Sequence, residues 1–178
     1  MQKFDLVISI PTLNHPKSIM FFLAKNIDIA FENNIDIRIY DASEDNETEK
    51  IVKERVEQGY TNLFYKKYPA NTLLEDRCED IYVDSGYRYV WLCGDGCVVN
   101  IEKNLSIVEK EISKEKDIIC FGNDMVYVNN YKEYTNSVEF CKECFTPTTY
   151  FGGVILRGDL ISKELFSYCK KKYLEHAV

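Results

Sequence analysis

The sequence lacks the features that mark membrane, disulfide-rich and zinc-finger proteins. It has no apolar run near the roughly 20 residues that a helix needs to cross a bilayer, and it contains only two histidines. Its seven cysteines are irregularly spaced, and an odd count fits reduced thiols better than a disulfide framework. Cys141 and Cys144 form a lone CxxC pair, whereas a structural zinc needs two further ligands at matching spacing. We therefore expect a soluble chain, and the start, which has no basic segment followed by an apolar one, predicts a cytoplasmic protein.

Positive charge is also scarce. The chain has 22 Lys and Arg against 29 Asp and Glu, a formal net charge of −7. Binding to duplex nucleic acid depends on clustered basic side chains that neutralise phosphates, so no nucleic-acid partner is expected. The length of 178 residues suits one domain with its own hydrophobic core, and we predict a single domain over residues 1–178.

Apolar runs and helically spaced apolar residues alternate along the first 100 residues. The patterns predict strands at residues 5–10, 35–40, 63–66 and 87–93, with helices at 19–30, 46–58 and 73–85 between them. Further along they predict a helix at 101–114, a strand at 117–121 and an edge hairpin at 125–135. Alternating strands and helices imply right-handed crossovers, and hence a three-layer Rossmann-like α/β domain with a mostly parallel central sheet.

Polar residues follow three of the predicted strands. In parallel sheets ligands bind at the carboxyl ends of strands, so the loops at residues 11–14, 41–45 and 93–97 should meet in one crevice. Asp41 and Asp95 taken singly are equally compatible with turns. Their shared location favours a site, in which Asp41, from a loop above the sheet, accepts a hydrogen bond from a base or ribose. Asp95 would bind Mg²⁺ or Mn²⁺, which take carboxylate oxygens and complete their shell with phosphate and water.

Four segments, in order and spacing, resemble the landmarks of the family 2 inverting glycosyltransferases, which have the GT-A fold. Residues 7–14 read VISIPTLN, residues 39–43 read IYDAS and residues 92–95 read LCGD. Asn71 and Arg77 are similar to the Asn and Arg of the family's Asn-Gly-x-x-x-Ala-Arg-Asn helix, and Arg77 lies 18 residues before Asp95. The stretch FGGVILR, which ends at Arg157, looks like the Gly-Gly segment on the family's acceptor side.

The resemblance implies a nucleotide-binding half over residues 1–100 and a partial acceptor half over residues 101–178. It places these residues at the nucleotide: Pro11, Thr12, Asn14, Asp41, Ser43, Asn71 and Arg77. Asp95 matches the second Asp of the family's Asp-x-Asp motif, which implies Mn²⁺ or Mg²⁺ as cofactor. The implied reaction transfers a sugar, with inversion, from a nucleotide diphosphate sugar, foremost a UDP-sugar, to a glycan or lipid-linked acceptor. Peripheral association of the full protein with a membrane is compatible with such acceptors.

The chain also departs from the family pattern. Cys93 stands at the first Asp of the metal motif, while Thr72 and Cys78 replace the Gly and the final Asn of the helix motif. The family's general base lies well beyond the Gly-Gly segment, and we expect it beyond Val178, in a longer protein.

Within the chain Asp159 and Glu164 are weak candidates for the base, and Asp159 is better explained as the cap of the last helix. Two other functions stay open: a non-catalytic nucleotide-sugar-binding or scaffold domain, which Cys93 favours, and a sugar nucleotidyltransferase. The latter usually has a glycine-rich first loop, and residues 11–16 contain no glycine. His15 is expected on the loop surface and Trp91 in the core.

Overall fold

The computed structural model describes residues 5–97, 99–121, 132–148 and 152–176. The strands in these residues are β1 (Leu6–Thr12), β2 (Asp36–Asp41), β3 (Leu63–Lys67), β4 (Tyr89–Leu92), β5 (Ile118–Cys120) and β6 (Val154–Arg157). The α-helices are α1 (Pro16–Glu32), α2 (Glu47–Glu57), α3 (Leu74–Cys78), α4 (Ile101–Ser113), α5 (Ser137–Thr148) and α6 (Lys163–His176). Each strand and helix predicted within the first 121 residues is present, with bounds shifted by at most three residues except in the 73–85 helix.

The six strands form one sheet in the order β3-β2-β1-β4-β6-β5. β1 pairs in parallel with both β2 and β4, and β2 pairs in parallel with β3. β6 is antiparallel to both of its neighbours. The predicted mostly parallel α/β sheet is confirmed. Because the chain leaves β1 toward β2 on one side and returns to β4 on the other, the carboxyl end of β1 is the point at which the strand order reverses, where such sheets bind ligands.

Alternating side chains of the strands fill two cores. Leu6, Ile8 and Ile10 of β1 are fully buried against α1, α2 and α4, whereas Val7 packs with Ile81 on the opposite face. A strand whose residues are buried on both sides is what a sheet covered on both faces requires. Each large aliphatic side chain removed from water contributes about 1.5–3 kcal/mol to stability. The buried side chains of β1 therefore hold in place the strand that leads into the predicted site.

The predicted helix over residues 73–85 consists of a short α-helical part followed by a π-helical part. α3 continues directly into a π-helical segment, Glu79–Val83, and the chain then turns at Gly86, which has a φ of +73°. The wider π turn places Ile81 in the second core and leaves Glu79 to form an ion pair with Lys163 of α6. Apolar spacing predicts the presence of this helix, but it does not separate a π turn from an α turn.

The predicted cap of the last helix is wrong. Ser162, and not Asp159, caps α6, because its Oγ accepts a hydrogen bond from the Leu165 N–H at 3.1 Å. Asp159 lies in a 3₁₀ turn, Gly158–Leu160, and pairs with Arg157 at 3.0 Å. The predicted hairpin at 125–135 falls mostly outside the described residues, and residues 132–135 belong to no helix or strand. Among the helices that the structure describes, none has the length and apolar content that a membrane crossing requires.

Candidate functional site

The three predicted loops meet at the carboxyl end of β1. The Thr12 hydroxyl donates to Oδ2 of Asp95 at 2.8 Å, across 83 residues of sequence. The backbone N–H of Asn14 donates to the Ser43 hydroxyl at 2.7 Å, and Oδ1 of Asn14 accepts from the N–H of Glu44 at 3.2 Å. Asn14 has a φ of +57°, a left-handed conformation that asparagine tolerates better than most residues. The expected convergence of the three loops is therefore confirmed.

Asp41 does not lie in a loop above the sheet, as we expected, because it is the last residue of β2 and its side chain is fully buried. Its carboxylate accepts hydrogen bonds from the backbone N–H and hydroxyl of Ser43, from the hydroxyl of Tyr65 at 2.7 Å and from Nζ of Lys67 at 3.2 Å. Burial alone would raise the pKa of Asp41, but these hydrogen bonds outweigh it and hold the pKa below its ordinary value. The carboxylate is thus already satisfied without a nucleoside, and its predicted contact with a base or ribose stays a prediction.

Arg77 lies beneath the same crevice. The residue is 5% exposed, and its guanidinium donates to the strand-end carbonyls of Thr12 and Tyr40 at 2.9 and 2.8 Å. Its buried Nε has no hydrogen-bond partner within the described residues. Burial lowers its pKa, yet a guanidinium remains protonated in proteins. Asn71 has a φ of +62° and donates to Glu44 at 3.3 Å. Arg77 therefore ties β1 to β2 from below, and Asn71 borders the loop after β2.

Asp95 is the carboxylate that faces the crevice. Its side chain is 18% exposed, and Oδ2 is held by Thr12 and by Nδ1 of His15 at 3.0 Å. His15, which we expected on the loop surface, is 63% exposed and occupies the N-cap position of α1, directly before Pro16, without a capping hydrogen bond from its side chain. Asn14 and Pro16 on either side of it are residue types that are typical of turns. Nothing in the sequence, however, links His15 to a residue 80 positions away.

A cavity of about 210 Å³ opens beside Asp95 on the α1 side. Its lining comprises Lys17, Ser18, Phe21, Asp95, Gly96 and Cys97. Lys17 is exposed, and the Phe21 ring is 51% exposed and carries the ammonium of Lys25 over its face at 4.6 Å. The cavity thus offers a cationic side chain and an aromatic surface beside the carboxylate.

Cys93 and the Gly-Gly segment form the other border of the site. Cys93 is fully buried, and burial raises the pKa of its thiol, so it does not replace the carboxylate that the resemblance places at this position. Trp91, buried as expected, donates its indole N–H to the carbonyl of Gly152 at 3.0 Å, and the Gly152 N–H donates to Leu92 at 2.7 Å. A Cβ on Gly152 would lie 3.4 Å from Cβ of Cys97. The Gly-Gly segment therefore borders the 93–97 loop.

Asp159 and Glu164 lie elsewhere. The N–H of Gly158 bonds to the carbonyl of Arg88, which directly precedes β4, and Asp159 lies 3.6 Å from Arg88 in an ion pair. That is the amino end of the parallel strands, whereas Asp95 follows their carboxyl ends. Glu164 sits in the first turn of α6, which begins three residues beyond the same 3₁₀ turn. Neither carboxylate lies at the carboxyl end of the parallel strands with Asp95.

The metal-binding capacity of the site rests on very few side chains. Within the described residues no group of three or more His, Cys, Asp or Glu could hold a metal ion. Asp95 and His15 form a pair, and no hydrogen bond between described residues occupies Oδ1 of Asp95. Divalent ions in phosphate-binding sites are often held by one or two protein ligands together with substrate phosphates and water. The pair therefore fits an ion that a bound diphosphate completes.

No protein-family model matches the chain, and no curated protein sequence matches it. Solved structures do. TarS of S. aureus, residues 1–349, has a TM-score of 0.65 at 16% identity over 89% of this chain and 48% of those 349 residues. Its complex with UDP-GlcNAc also matches, with a TM-score of 0.62. The mannosyltransferase PcManGT from Pyrobaculum calidifontis, solved with GDP-Man and Mn²⁺, has a TM-score of 0.62 at 9% identity, over 88% of this chain and 45% of PcManGT. This chain shares the glycosyltransferase fold.

The neighbours also set the limits of the likeness. Identities of 9–17% establish the fold and no more. The chain spans about half the length of the TarS 1–349 chain and of PcManGT, and 23% of the longer TarS chain. The mannosyltransferase Ktr4p of S. cerevisiae, solved with GDP, has a TM-score of 0.51 at 10% identity over 96% of this chain.

The structure brings together the seven predicted nucleotide-side residues and Asp95, and it adds His15, Tyr65 and Lys67, which the sequence did not indicate.

Proposed function

We propose that this chain is the donor-binding part of a glycosyltransferase that takes a nucleotide diphosphate sugar, with a UDP-sugar as the preferred donor and a divalent ion as cofactor. The sugar passes with inversion to a glycan or lipid-linked acceptor. The carrying observation is the partly exposed carboxylate of Asp95, which stands where the strand order reverses, in a fold shared with mannosyltransferases and with a protein solved with UDP-GlcNAc.

The chemistry of the reaction explains the arrangement. The acceptor hydroxyl forms a bond to the anomeric carbon, the bond from that carbon to the diphosphate oxygen breaks, and the acceptor proton leaves to a base. Negative charge grows on the departing nucleoside diphosphate, and a divalent ion bound at this site would supply positive charge to neutralise it. Asp95 and His15 are the residues that would hold the ion. Because the protein is acidic, with a net charge of −7, Asp95 alone would repel the donor.

Arg77 supports the same site from below. Its buried cation fixes the carbonyl ends of β1 and β2 through two hydrogen bonds, so the loops that would border the nucleoside start from a rigid base. Asp41, with its partners on β3, sets the conformation of the loop after β2 in the same way. Such preorganisation lowers the entropy that ligand binding must overcome.

Calorimetry with UDP tests the proposal. Wild type should bind UDP with Mn²⁺ or Mg²⁺ present and lose that binding in a chelator, and GDP should bind more weakly. Asp95→Asn should weaken metal-dependent binding by about 1–3 kcal/mol, the scale of one charge-assisted contact. Asp84→Asn is the matched control, because it removes the same charge from an exposed position after the π turn.

Two results would contradict the proposal. Equal UDP binding with metal and with chelator would remove the cofactor role, and no binding of any nucleotide diphosphate would leave a domain that keeps the fold without donor recognition. Transfer of label from UDP-sugars to candidate acceptors then tests catalysis directly.

A further inference from the structure

His15 and Asp95 form a nitrogen and oxygen pair at the edge of the crevice. We propose that His15 is the second protein ligand of the divalent ion, so that the site selects a first-row transition ion such as Mn²⁺ over Mg²⁺. The inference rests on the proposed function, since the donor diphosphate supplies the remaining ligands.

The spacing of the pair suits two adjacent ligands of one octahedral ion. Nδ1 of His15 and Oδ2 of Asp95 lie 3.0 Å apart. Two ligands that meet at right angles on an ion, with bonds of about 2.1 Å, are separated by about 3.0 Å. Insertion of an ion between the two atoms therefore needs side-chain rotation but no movement of the backbone that holds them.

The backbone around His15 is already fixed. The carbonyl of His15 accepts the N–H groups of Ser18 and Ile19 at 3.1 and 3.3 Å, which starts α1, and Pro16 restricts the next φ angle. Asp95 is positioned independently by Thr12 of β1. The imidazole itself is 63% exposed, so it is accessible to an ion and to a donor phosphate that arrive from solvent.

The pair also compensates for Cys93. The resemblance places a carboxylate there, but Cys93 is fully buried in the core and its side chain is not accessible to an ion in the crevice. A site with two carboxylates offers only oxygens, which suit Mg²⁺. Exchange of one oxygen for an imidazole nitrogen favours first-row transition ions, which are softer than Mg²⁺. The affinity of such a site rises in the order Mn²⁺, Fe²⁺, Co²⁺.

The test uses the full chain with saturating UDP and measures Mn²⁺ and Mg²⁺ affinity together with electron spin echo spectra of bound Mn²⁺. Wild type should show nitrogen coupling to Mn²⁺. His15→Gln should abolish that coupling and lower the affinity for Mn²⁺ by about tenfold or more, while the affinity for Mg²⁺ changes by less than about threefold. His15→Asp should abolish the coupling and bring the two affinities closer together. His176→Gln is the matched control, because the chain has only two histidines.

Each contrary outcome has its own meaning. Metal-dependent UDP binding without nitrogen coupling, or with an unchanged ratio of Mn²⁺ to Mg²⁺ affinity in His15→Gln, overturns the role of His15 and leaves the proposed function intact. Nitrogen coupling that disappears in His176→Gln also overturns it. UDP binding that ignores metal in wild type overturns the metal site as a whole, and the proposed cofactor with it.

Discussion

Replacement of Asp41 should destabilise the fold before it affects any ligand. The buried carboxylate accepts four hydrogen bonds, and Asp41→Ala leaves their donors without an acceptor. Lys67 is 32% exposed and Tyr65 is half-buried, so both recover water, but the N–H and hydroxyl of buried Ser43 do not. At about 1–3 kcal/mol for each unsatisfied buried donor, Asp41→Ala should lose about 4 kcal/mol of unfolding free energy.

Asp41→Asn is the matched variant, because its shape is unchanged. Its amide oxygen can still accept from Ser43, but its NH₂ group faces the donors Tyr65 and Lys67, so we expect a smaller loss of about 2 kcal/mol. Urea unfolding followed by circular dichroism at pH 7 gives both values. A loss below about 1 kcal/mol for Asp41→Ala would refute the reasoning, since it would mean that the donors find water or new partners.

The pH dependence supplies an independent check. The folded pKa of Asp41 is lowered from 3.8, so the unfolded chain binds the proton more readily. The stabilisation is therefore present above pH 4 and is lost as the pH falls through the lowered pKa. The difference in unfolding free energy between wild type and Asp41→Asn should shrink below pH 4. A difference that stays constant from pH 7 to pH 3 would show that the charge of Asp41 contributes nothing.

Three further substitutions test other parts of the structure. Arg77→Met should lower the unfolding free energy by about 2 kcal/mol, because two strand-end carbonyls lose a charged donor; no loss in urea unfolding would contradict the tie between β1 and β2. Gly152→Ala should cost about 1–3 kcal/mol, since its φ is +89° and its Cβ would lie 3.0 Å from Cγ2 of Val99; an unchanged melting temperature would refute the strain. Ser162→Ala should cost about 1 kcal/mol through loss of a helix cap, and Asp159→Ala less; the reverse order in thermal melts would restore Asp159 as the cap.

The strands were predictable because their cause is local. The run Leu6 to Ile10 is apolar at four of its five positions, Ser9 being the exception, and such a compact run is typical of a strand buried between two helical layers. The rule that ligands sit at the carboxyl ends of parallel strands then located the crevice without any knowledge of side-chain contacts. The convergence of Thr12 with Asp95 follows from topology alone.

What the sequence could not supply depends on pairing register and on side-chain direction. Asp41 is buried because β3 pairs alongside β2 and brings Lys67 directly opposite it, with Tyr65 two residues before. A shift of one residue in that register would place the side chains of Tyr65 and Lys67 on the opposite face of the sheet, away from Asp41. The contact of His15 with Asp95 likewise depends on how α1 starts relative to β4. Such relations between distant segments leave no periodic trace in the sequence.

The connection between Thr12 and Asp95 also has a consequence for how the chain folds. The first 67 residues contain β1, β2 and β3, which are neighbours in the sheet and can pair as they emerge during synthesis. β4 must close a loop of about 80 residues before it reaches β1, and such non-local closure is slow. The crevice therefore belongs to the late steps of folding, and a nascent chain that ends before β4 can form only a partial sheet with β1 as its open edge.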